Sequence, residues 1–192
     1  MEIVTVPFAR NKEFIEAFIH CMEDLDAFAE LSAIATEQGM TLREYAEPTW
    51  AACHRAGEVR GIFDEKDRLV AFTLYMRLCT IEMQETAAYE SLFTPPFHPG
   101  LLHQMRDLGN EMLYLLGIGV VPEYRRRGIA RMLINDIIDR YGQYGIMADV
   151  SGEISVQMYR DLGFTIEIIP VSYPYFLVYH RPKYNKLNIG IL

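Results

Sequence analysis

The stretch Met112–Tyr141 constrains the fold of this chain more than any other part of the sequence. It begins with an uncharged apolar run, Met112–Val121, which predicts a strand buried on both faces. A proline ends the run, and the basic triplet Arg125–Arg127 precedes Gly128. From Ile129 onward, apolar residues recur at helical spacing and form one stripe, which predicts an amphipathic helix. The stretch therefore predicts a buried strand, a tight basic turn and a helix.

The start of this predicted helix is suited to holding an anion. Its first N–H groups have no acceptor within the helix, and the helix dipole is positive at that end. With the arginine triplet, these groups can bind a phosphate. Two alternatives stay open, since three arginines can be an ordinary solvated surface and Gly117-x-Gly119 can serve close packing alone. A dinucleotide-binding G-x-G-x-x-G pattern is excluded, because its third glycine would fall on Pro122.

The composition indicates one α/β domain without a metal or disulfide framework. The chain has 192 residues, of which 51% are hydrophobic and 23% charged, as is ordinary for globular proteins. Its net charge of −8 argues against a general nucleic-acid binder and fits a cationic substrate. The three cysteines, Cys21, Cys53 and Cys79, lack metal-ligand spacing, so we expect no structural zinc and no disulfides.

The sequence also lacks the signals of secretion and membrane insertion. Its first ten residues have no basic region leading into an apolar core, so we expect no signal peptide. No apolar run reaches the roughly 18 to 20 residues of a membrane helix. We therefore expect a cytoplasmic protein that does not enter a membrane.

The remaining patterns predict one domain, with a helical N-terminal part in residues 1–57 and a core in residues 58–182. Strands are expected at Ile3–Val6, Val59–Phe63, Leu69–Leu78, Gly145–Val150, Phe164–Val171 and Tyr175–Tyr179. The second and third of these read as an antiparallel hairpin.

Several residues predict where helices begin and end. Asn11 is expected to cap a first helix, and Gln38-Gly39 is expected to end a second helical segment. Thr41-Leu-Arg-Glu44 has the spacing of a capping box, and Pro48 is expected to interrupt the helix that follows. Gly163 is expected to end a later helix in a C-cap position.

The segment Cys79–Asn110 lacks a regular pattern. Connections this long within a domain are commonly functional. The segment either shapes a substrate pocket or covers the core. Its candidate pocket residues are Tyr89, Phe93, Phe97, His98 and His103.

The sequence Val120-Val-Pro-Glu-Tyr-Arg-Arg-Arg-Gly-Ile-Ala130 resembles the acyl-CoA-binding motif of the GNAT superfamily of N-acetyltransferases. The motif Gln/Arg-x-x-Gly-x-Gly/Ala corresponds here to Arg125-x-x-Gly128-x-Ala130. A second match, Tyr159-x-x-x-Gly163-Phe164, resembles the family's Y-x-x-x-G-F signature and follows in the right order. The resemblance covers about residues 60–182.

The resemblance implies an α/β (α+β) fold with a mixed, mostly antiparallel twisted sheet flanked by helices. In this fold, the splayed central strands Leu113–Val121 and Gly145–Val150 hold acyl-CoA between them. The residues implied to contact the pyrophosphate are Arg125, Arg126, Arg127, Gly128, Ile129, Ala130 and Arg131. Those implied to contact pantetheine are Ile118, Gly119 and Val120. Relatives often have a cofactor-binding asparagine where this chain has Gly152, and Ser151 or Ser155 could replace that contact.

The resemblance further implies direct transfer of an acetyl group from acetyl-CoA to an amine of a small molecule or peptide, without a metal. Tyr159 occupies the position of the tyrosine that stabilises the leaving thiolate, although it could be only a packing residue. Asp149 is the first candidate for the general base, and Glu111, Glu82, His98 and His103 are others. Some relatives use a water chain instead. The alternative is a catalytically silent acyl-CoA-binding sensor or interaction module, and a homodimer is left open.

Overall fold

A computed structural model of the chain describes residues 2–22, 32–33, 35–79, 111–151, 153–168 and 175–180. The longer helices in these ranges are α1 Asn11–Met22, α2 Leu42–Ala56, α3 Ile129–Tyr141 and α4 Glu153–Asp161. The strands are β1 Val4–Thr5, β2 Glu58–Phe63, β3 Leu69–Cys79, β4 Glu111–Val120, β5 Gly145–Ser151, β6 Thr165–Ile168 and β7 Tyr175–His180. No helix in the described ranges has both the length and the apolar character needed to cross a membrane.

The strand pairings confirm a mixed, mostly antiparallel sheet flanked by helices. The pairs β1–β2, β2–β3, β5–β7 and β6–β7 are antiparallel, whereas β4 and β5 are parallel. The chain divides into two compact units. The first comprises Met1–Met76 with Leu116–Asp136, and the second comprises Arg77–Leu115 with Ile137–Leu192.

In the first unit, an aromatic cluster covers one face of the β2–β3 hairpin. Phe72 on β3 makes an edge contact with Phe14 of α1, with 5.1 Å between ring centroids. The ring centroids of Phe18 on α1 and Trp50 on α2 lie 3.9 Å apart, and the ring of Phe14 also contacts His54. Phe14, Phe18 and Phe72 are buried, so α1 and α2 are held against the hairpin by apolar and aromatic contacts.

The opposite face of the hairpin carries a buried ion pair to α3. Arg60 pairs with Thr73, which directly follows Phe72 in β3. Successive residues of a strand point to opposite faces, so Arg60 and Phe72 lie on opposite faces of the hairpin. Its Nε and Nη2 atoms donate to the two carboxylate oxygens of Asp136, at 2.9 and 3.1 Å. The same guanidinium donates to Thr5 Oγ1 and to the Ile3 carbonyl. Arg60 thereby links β1, β2 and α3.

In the second unit, β5 lies between β4 and β7. Residues Met112–Leu115 of β4 pair with Gly145–Ala148 of β5, and β7 pairs with β5 and with β6. The Arg77 guanidinium lies 5.1 Å from the ring centroid of Tyr144. This unit also contains α4, which ends just before β6.

Two of the local predictions are wrong and the capping box is confirmed. Thr41 and Glu44 exchange both capping-box bonds. Pro48 does not interrupt α2, because the buried Cys53 and His54 anchor the half of the helix that follows the proline. Asn11 is the first residue of α1 rather than its cap, because its backbone is already helical, with φ −57° and ψ −35°. Its side-chain oxygen lies 3.0 Å from His54 Nδ1.

Candidate functional site

The basic turn after β4 forms a short loop with two left-handed residues. The Val121 N–H donates to the Val70 carbonyl at 3.0 Å, which fixes the end of the strand. A 3₁₀ turn, Pro122–Tyr124, follows. We call Arg125–Ala130 the anion loop. In it, Arg126 has φ +60° and Gly128 has φ +76°. The chain therefore turns sharply just before α3 begins at Ile129.

Arg125 holds this loop in place through its side chain. Its Nε donates to the Val120 carbonyl and its Nη2 to the Cys21 carbonyl, both at 2.9 Å. Cys21 belongs to the last turn of α1, so the half-buried guanidinium ties α1 to the end of β4. These bonds give Arg125 a role in shaping the loop, in addition to its positive charge.

The start of α3 presents donors and positive charge. The first helical bond runs from the Met132 N–H to the Gly128 carbonyl at 3.0 Å. The N–H groups of Gly128, Ile129 and Ala130 precede this bond, where the helix offers them no acceptor. Arg126 is exposed, and none of the described residues is paired with its guanidinium. The loop can therefore supply backbone donors and a cation to one anion.

Gly128 leaves this loop open to a ligand. A Cβ built at Gly128 would meet no heavy atom within 4 Å, and the residue is exposed. The glycine is thus required by its positive φ and not by crowding within the protein. An anion can approach the backbone at this point without meeting a side chain.

The half of β4 next to the anion loop is more exposed than the half that pairs with β5. Met112 to Leu115 are all buried, and the parallel ladder ends at Leu115. Gly117, Ile118 and Val120 are half-buried, whereas Gly119 is buried. This part of the strand is therefore the accessible one.

The two glycines of this strand serve different purposes. A Cβ at Gly119 would lie 2.4 Å from the Phe72 ring and 2.9 Å from Cys21 Sγ, so Gly119 is required by close packing. A Cβ at Gly117 would lie 3.6 Å from Trp50, which is an ordinary contact. The packing alternative is thus supported at Gly119.

We expect Gly119→Ala to lower the free energy of unfolding by about 1–3 kcal/mol, because the added methyl overpacks the core. Gly117→Ala is the matched control, with an expected change within about 0.5 kcal/mol. Urea unfolding of both variants measures the difference. Equal destabilisation of the two would contradict the packing argument.

The turn of the β2–β3 hairpin contacts the chain just before the anion loop. Asp64 Oδ1 accepts hydrogen bonds from the backbone N–H groups of Lys66 and Arg68, at 2.9 and 3.0 Å. Its Oδ2 accepts from the Arg68 guanidinium and, at 3.3 Å, from the hydroxyl of Tyr124. The Arg127 guanidinium lies 5.1 Å from the Tyr124 ring centroid. Asp64 therefore joins the hairpin turn to the loop.

These hydrogen bonds should make stability depend on pH in the acid range. The Arg68 backbone N–H and guanidinium lower the pKa of Asp64 to about 2. Because the folded pKa lies below the unfolded value of about 3.9, the stabilisation is present above pH 4 and disappears as the pH falls toward 2. The difference in melting temperature between wild type and Asp64→Asn should therefore be largest near pH 7 and shrink below pH 4. A constant difference across this range would contradict it.

The Tyr159-x-x-x-Gly163-Phe164 pattern forms the C-terminal cap of α4. The Phe164 N–H donates to the Tyr159 carbonyl at 3.1 Å, and the Gly163 N–H to the Arg160 carbonyl at 3.0 Å. Gly163 has φ +84°, and the rings of Tyr159 and Phe164 are in edge contact at 5.0 Å. These features define a Schellman motif, which confirms the predicted C-cap.

The Tyr159 side chain is buried, with 3% of its surface exposed. Burial raises the pKa of its phenol, so the hydroxyl stays protonated at neutral pH. None of the described residues is hydrogen bonded to this hydroxyl. The phenol is therefore a hydrogen-bond donor without an assigned acceptor in the described part of the chain.

Only some of the other predicted site residues lie in the described part of the chain. Asp149 lies on β5 opposite Leu177, and Glu111 begins β4. Ser155 is half-buried in the first turn of α4. The remaining candidates Glu82, His98, His103 and Gly152 lie outside the described residues, as does nearly all of the Cys79–Asn110 segment. Within the described ranges, no cluster of three metal-binding side chains is found.

Sequence reasoning missed the partners that support the anion loop. Asp64 and Cys21 are remote from the loop in sequence, and nothing in the motif refers to them. The Asp64-x-Lys66-x-Arg68 pattern is typical of an aspartate that closes a turn, but it does not identify Tyr124 as a further partner.

Comparisons with known proteins bear on the family and the fold of this chain. The model of the acetyltransferase (GNAT) family matches residues 27–164. A structure described as histone acetyltransferase HPA2 and related acetyltransferase, from Corynebacterium glutamicum, is 17% identical with a TM-score of 0.70, covering 96% of this chain and 98% of that one. No curated protein sequence matches significantly.

Two further solved structures share the fold at lower similarity. PaiA N-acetyltransferase from Thermoplasma acidophilum, in complex with coenzyme A, is 14% identical with a TM-score of 0.56, covering 94% of this chain and 98% of that one. A polyamine N-acetyltransferase from Drosophila melanogaster, which forms N-acetylagmatine, is 12% identical with a TM-score of 0.54, covering 94% and 100%.

Proposed function

Because the chain belongs to the GNAT family of acetyltransferases, we propose that it transfers an acetyl group from acetyl-CoA to an amine of a small molecule or peptide, as a single acetyltransferase domain. The amine nitrogen attacks the thioester carbonyl directly. The new C–N bond forms, the C–S bond breaks, and CoA leaves as its thiol after one proton is removed from the amine.

The observation that carries this proposal is the anion loop. Acyl-CoA contains a pyrophosphate, and the loop offers N–H groups at a helix start beside the exposed Arg126. The open space at Gly128 lets phosphate oxygens approach the backbone. In this proposal Arg126, Arg127 and Arg131 supply charge, while Arg125 chiefly holds the loop.

The accessible half of β4 is the proposed place for pantetheine. The arm has amide groups that can pair with strand backbone at Ile118, Gly119 and Val120, as an added strand does. The half-exposure of Ile118 and Val120 supports this assignment. In the proposal, the Val120 N–H polarises the thioester carbonyl as negative charge develops on its oxygen. Ser155 is proposed as a further contact to the cofactor.

Tyr159 and Asp149 are proposed to handle the two proton transfers. The raised pKa of Tyr159 keeps its phenol protonated, so the hydroxyl can donate a hydrogen bond to the departing thiolate. Asp149 is the proposed base for the amine, and Glu111 is the next candidate. The net charge of −8 favours acceptors that are cationic before they lose a proton.

The experiment that tests the function has two stages. Acetyl-CoA should raise the melting temperature through mass action on the folded state. A panel of polyamines, amino acids, aromatic amines and peptide N-termini is then assayed for release of free CoA thiol. We expect release above the hydrolytic background with at least one class, and acetylated amine by mass spectrometry.

The same experiment separates the alternatives. No stabilisation by saturating acetyl-CoA would refute the proposal as a whole. Stabilisation without CoA release from any amine would instead favour a catalytically silent acyl-CoA-binding module.

A further inference from the structure

We propose that the contact between Asp64 and Tyr124 positions the anion loop, so that the β2–β3 turn sets the affinity for the acyl donor. Both are positioning residues, and neither is assigned a contact with the donor. The inference rests on the proposed function and deepens it, because it identifies residues outside the motif that determine donor binding.

The Asp64 carboxylate is held in one orientation by several hydrogen bonds. Its side chain is 7% exposed and accepts two backbone N–H groups within its own turn, in addition to the Arg68 guanidinium. The carboxylate therefore cannot rotate away from Tyr124 without breaking several bonds. A hydroxyl bonded to such a group is held more firmly than one bonded to a mobile surface side chain.

Tyr124 transmits this constraint to the loop. It is the last residue of the 3₁₀ turn, and its N–H donates to the Val121 carbonyl at 2.9 Å. Its ring lies beside the Arg127 guanidinium, whose Nη2 donates to the Glu123 carbonyl at 2.8 Å. The hydroxyl at one end of the side chain is thus anchored to the hairpin, and the ring contacts a loop arginine.

The loop needs such anchors because its conformation is unfavourable in isolation. Arg126 is in the left-handed region, which non-glycine residues rarely adopt, and the following segment is exposed. Arg125 anchors one side of the loop to α1 and β4. Tyr124 and Asp64 anchor the other side to the hairpin. If one anchor is lost, the loop must become ordered when the donor binds. This entropic cost weakens the binding.

The test measures acetyl-CoA affinity by calorimetry in wild type, Tyr124→Phe, Asp64→Asn and the double variant. Tyr124→Phe removes only the hydroxyl and keeps the ring beside Arg127. Asp64→Asn keeps Oδ1 for the turn and replaces Oδ2, the acceptor of both Tyr124 and Arg68. We expect each single variant to raise the Kd about tenfold, with no further increase in the double variant. The kcat at saturating acetyl-CoA should not change. Tyr144→Phe, in the second unit, is the matched control and should bind like wild type.

The outcomes distinguish this inference from the proposed function. If wild type binds acetyl-CoA and Tyr124→Phe binds it equally well, the positioning role is refuted while the proposed function stands. A lower melting temperature with an unchanged Kd also refutes the positioning role, because a purely structural contact would behave in that way. If wild type does not bind acetyl-CoA, the proposed function fails first and the inference with it.

Discussion

Replacing Arg60 with methionine should lower the free energy of unfolding by about 3–5 kcal/mol, because it leaves the Asp136 carboxylate without its main partner. Arg60 is 3% exposed and the Asp136 side chain 16%, so water cannot replace the lost guanidinium fully. The substitution also removes the donors to Thr5 Oγ1 and the Ile3 carbonyl. Urea unfolding followed by circular dichroism measures the loss.

The double variant Arg60→Met/Asp136→Leu is the control for this prediction. With both charges replaced by apolar groups, the carboxylate that lost its guanidinium is gone, and most of the lost stability should return. If the single variant unfolds like wild type, the ion pair does not hold α3 to the hairpin. If the double variant is less stable than the single one, the loss arises from packing and not from the carboxylate that lost Arg60.

Tyr159→Phe should reduce kcat by about a hundredfold while leaving the Kd for acetyl-CoA nearly unchanged. The phenylalanine keeps the ring contact with Phe164 and therefore the cap of α4. Removal of the hydroxyl breaks no hydrogen bond within the described part of the chain. Steady-state release of CoA thiol with a saturating amine gives kcat, and calorimetry gives the Kd.

Tyr159 could instead serve only the packing at the end of α4, and the same data decide this. An unchanged kcat in Tyr159→Phe would leave Tyr159 as a cap residue without a catalytic role. A parallel fall in stability and activity would also argue for packing. Tyr144→Phe again serves as the control and should have wild-type kcat.

The sequence predicted those features that depend on neighbours along the chain. The strand, turn and helix of residues 112–141 follow from periodicity, and the capping box at Thr41 and the cap at Gly163 follow from short spacings. Each of these depends on bonds between residues a few positions apart. The fold class followed from the same local patterns once they matched a known family.

Features set by long-range contacts could not be predicted in this way. Arg60 is 76 residues from Asp136, and Arg125 is 104 residues from Cys21. The helix through Pro48 is another case, because tertiary packing outweighs the local cost of the proline. In the candidate site, the donors of the anion loop were predictable, whereas the anchors that hold it were not.

The most direct test of the central claim, that the anion loop binds the acyl donor, compares Gly128→Ala with Gly39→Ala. Both glycines have positive φ, +76° and +69°, and a Cβ at either would meet no atom within 4 Å. The backbone strain of the two substitutions should therefore be similar, and the two variants should lose similar stability. Only Gly128 lies in the loop. We predict that Gly128→Ala raises the Kd for acetyl-CoA about tenfold in calorimetry, whereas Gly39→Ala binds like wild type. Equal affinities of wild type and both variants would contradict the claim.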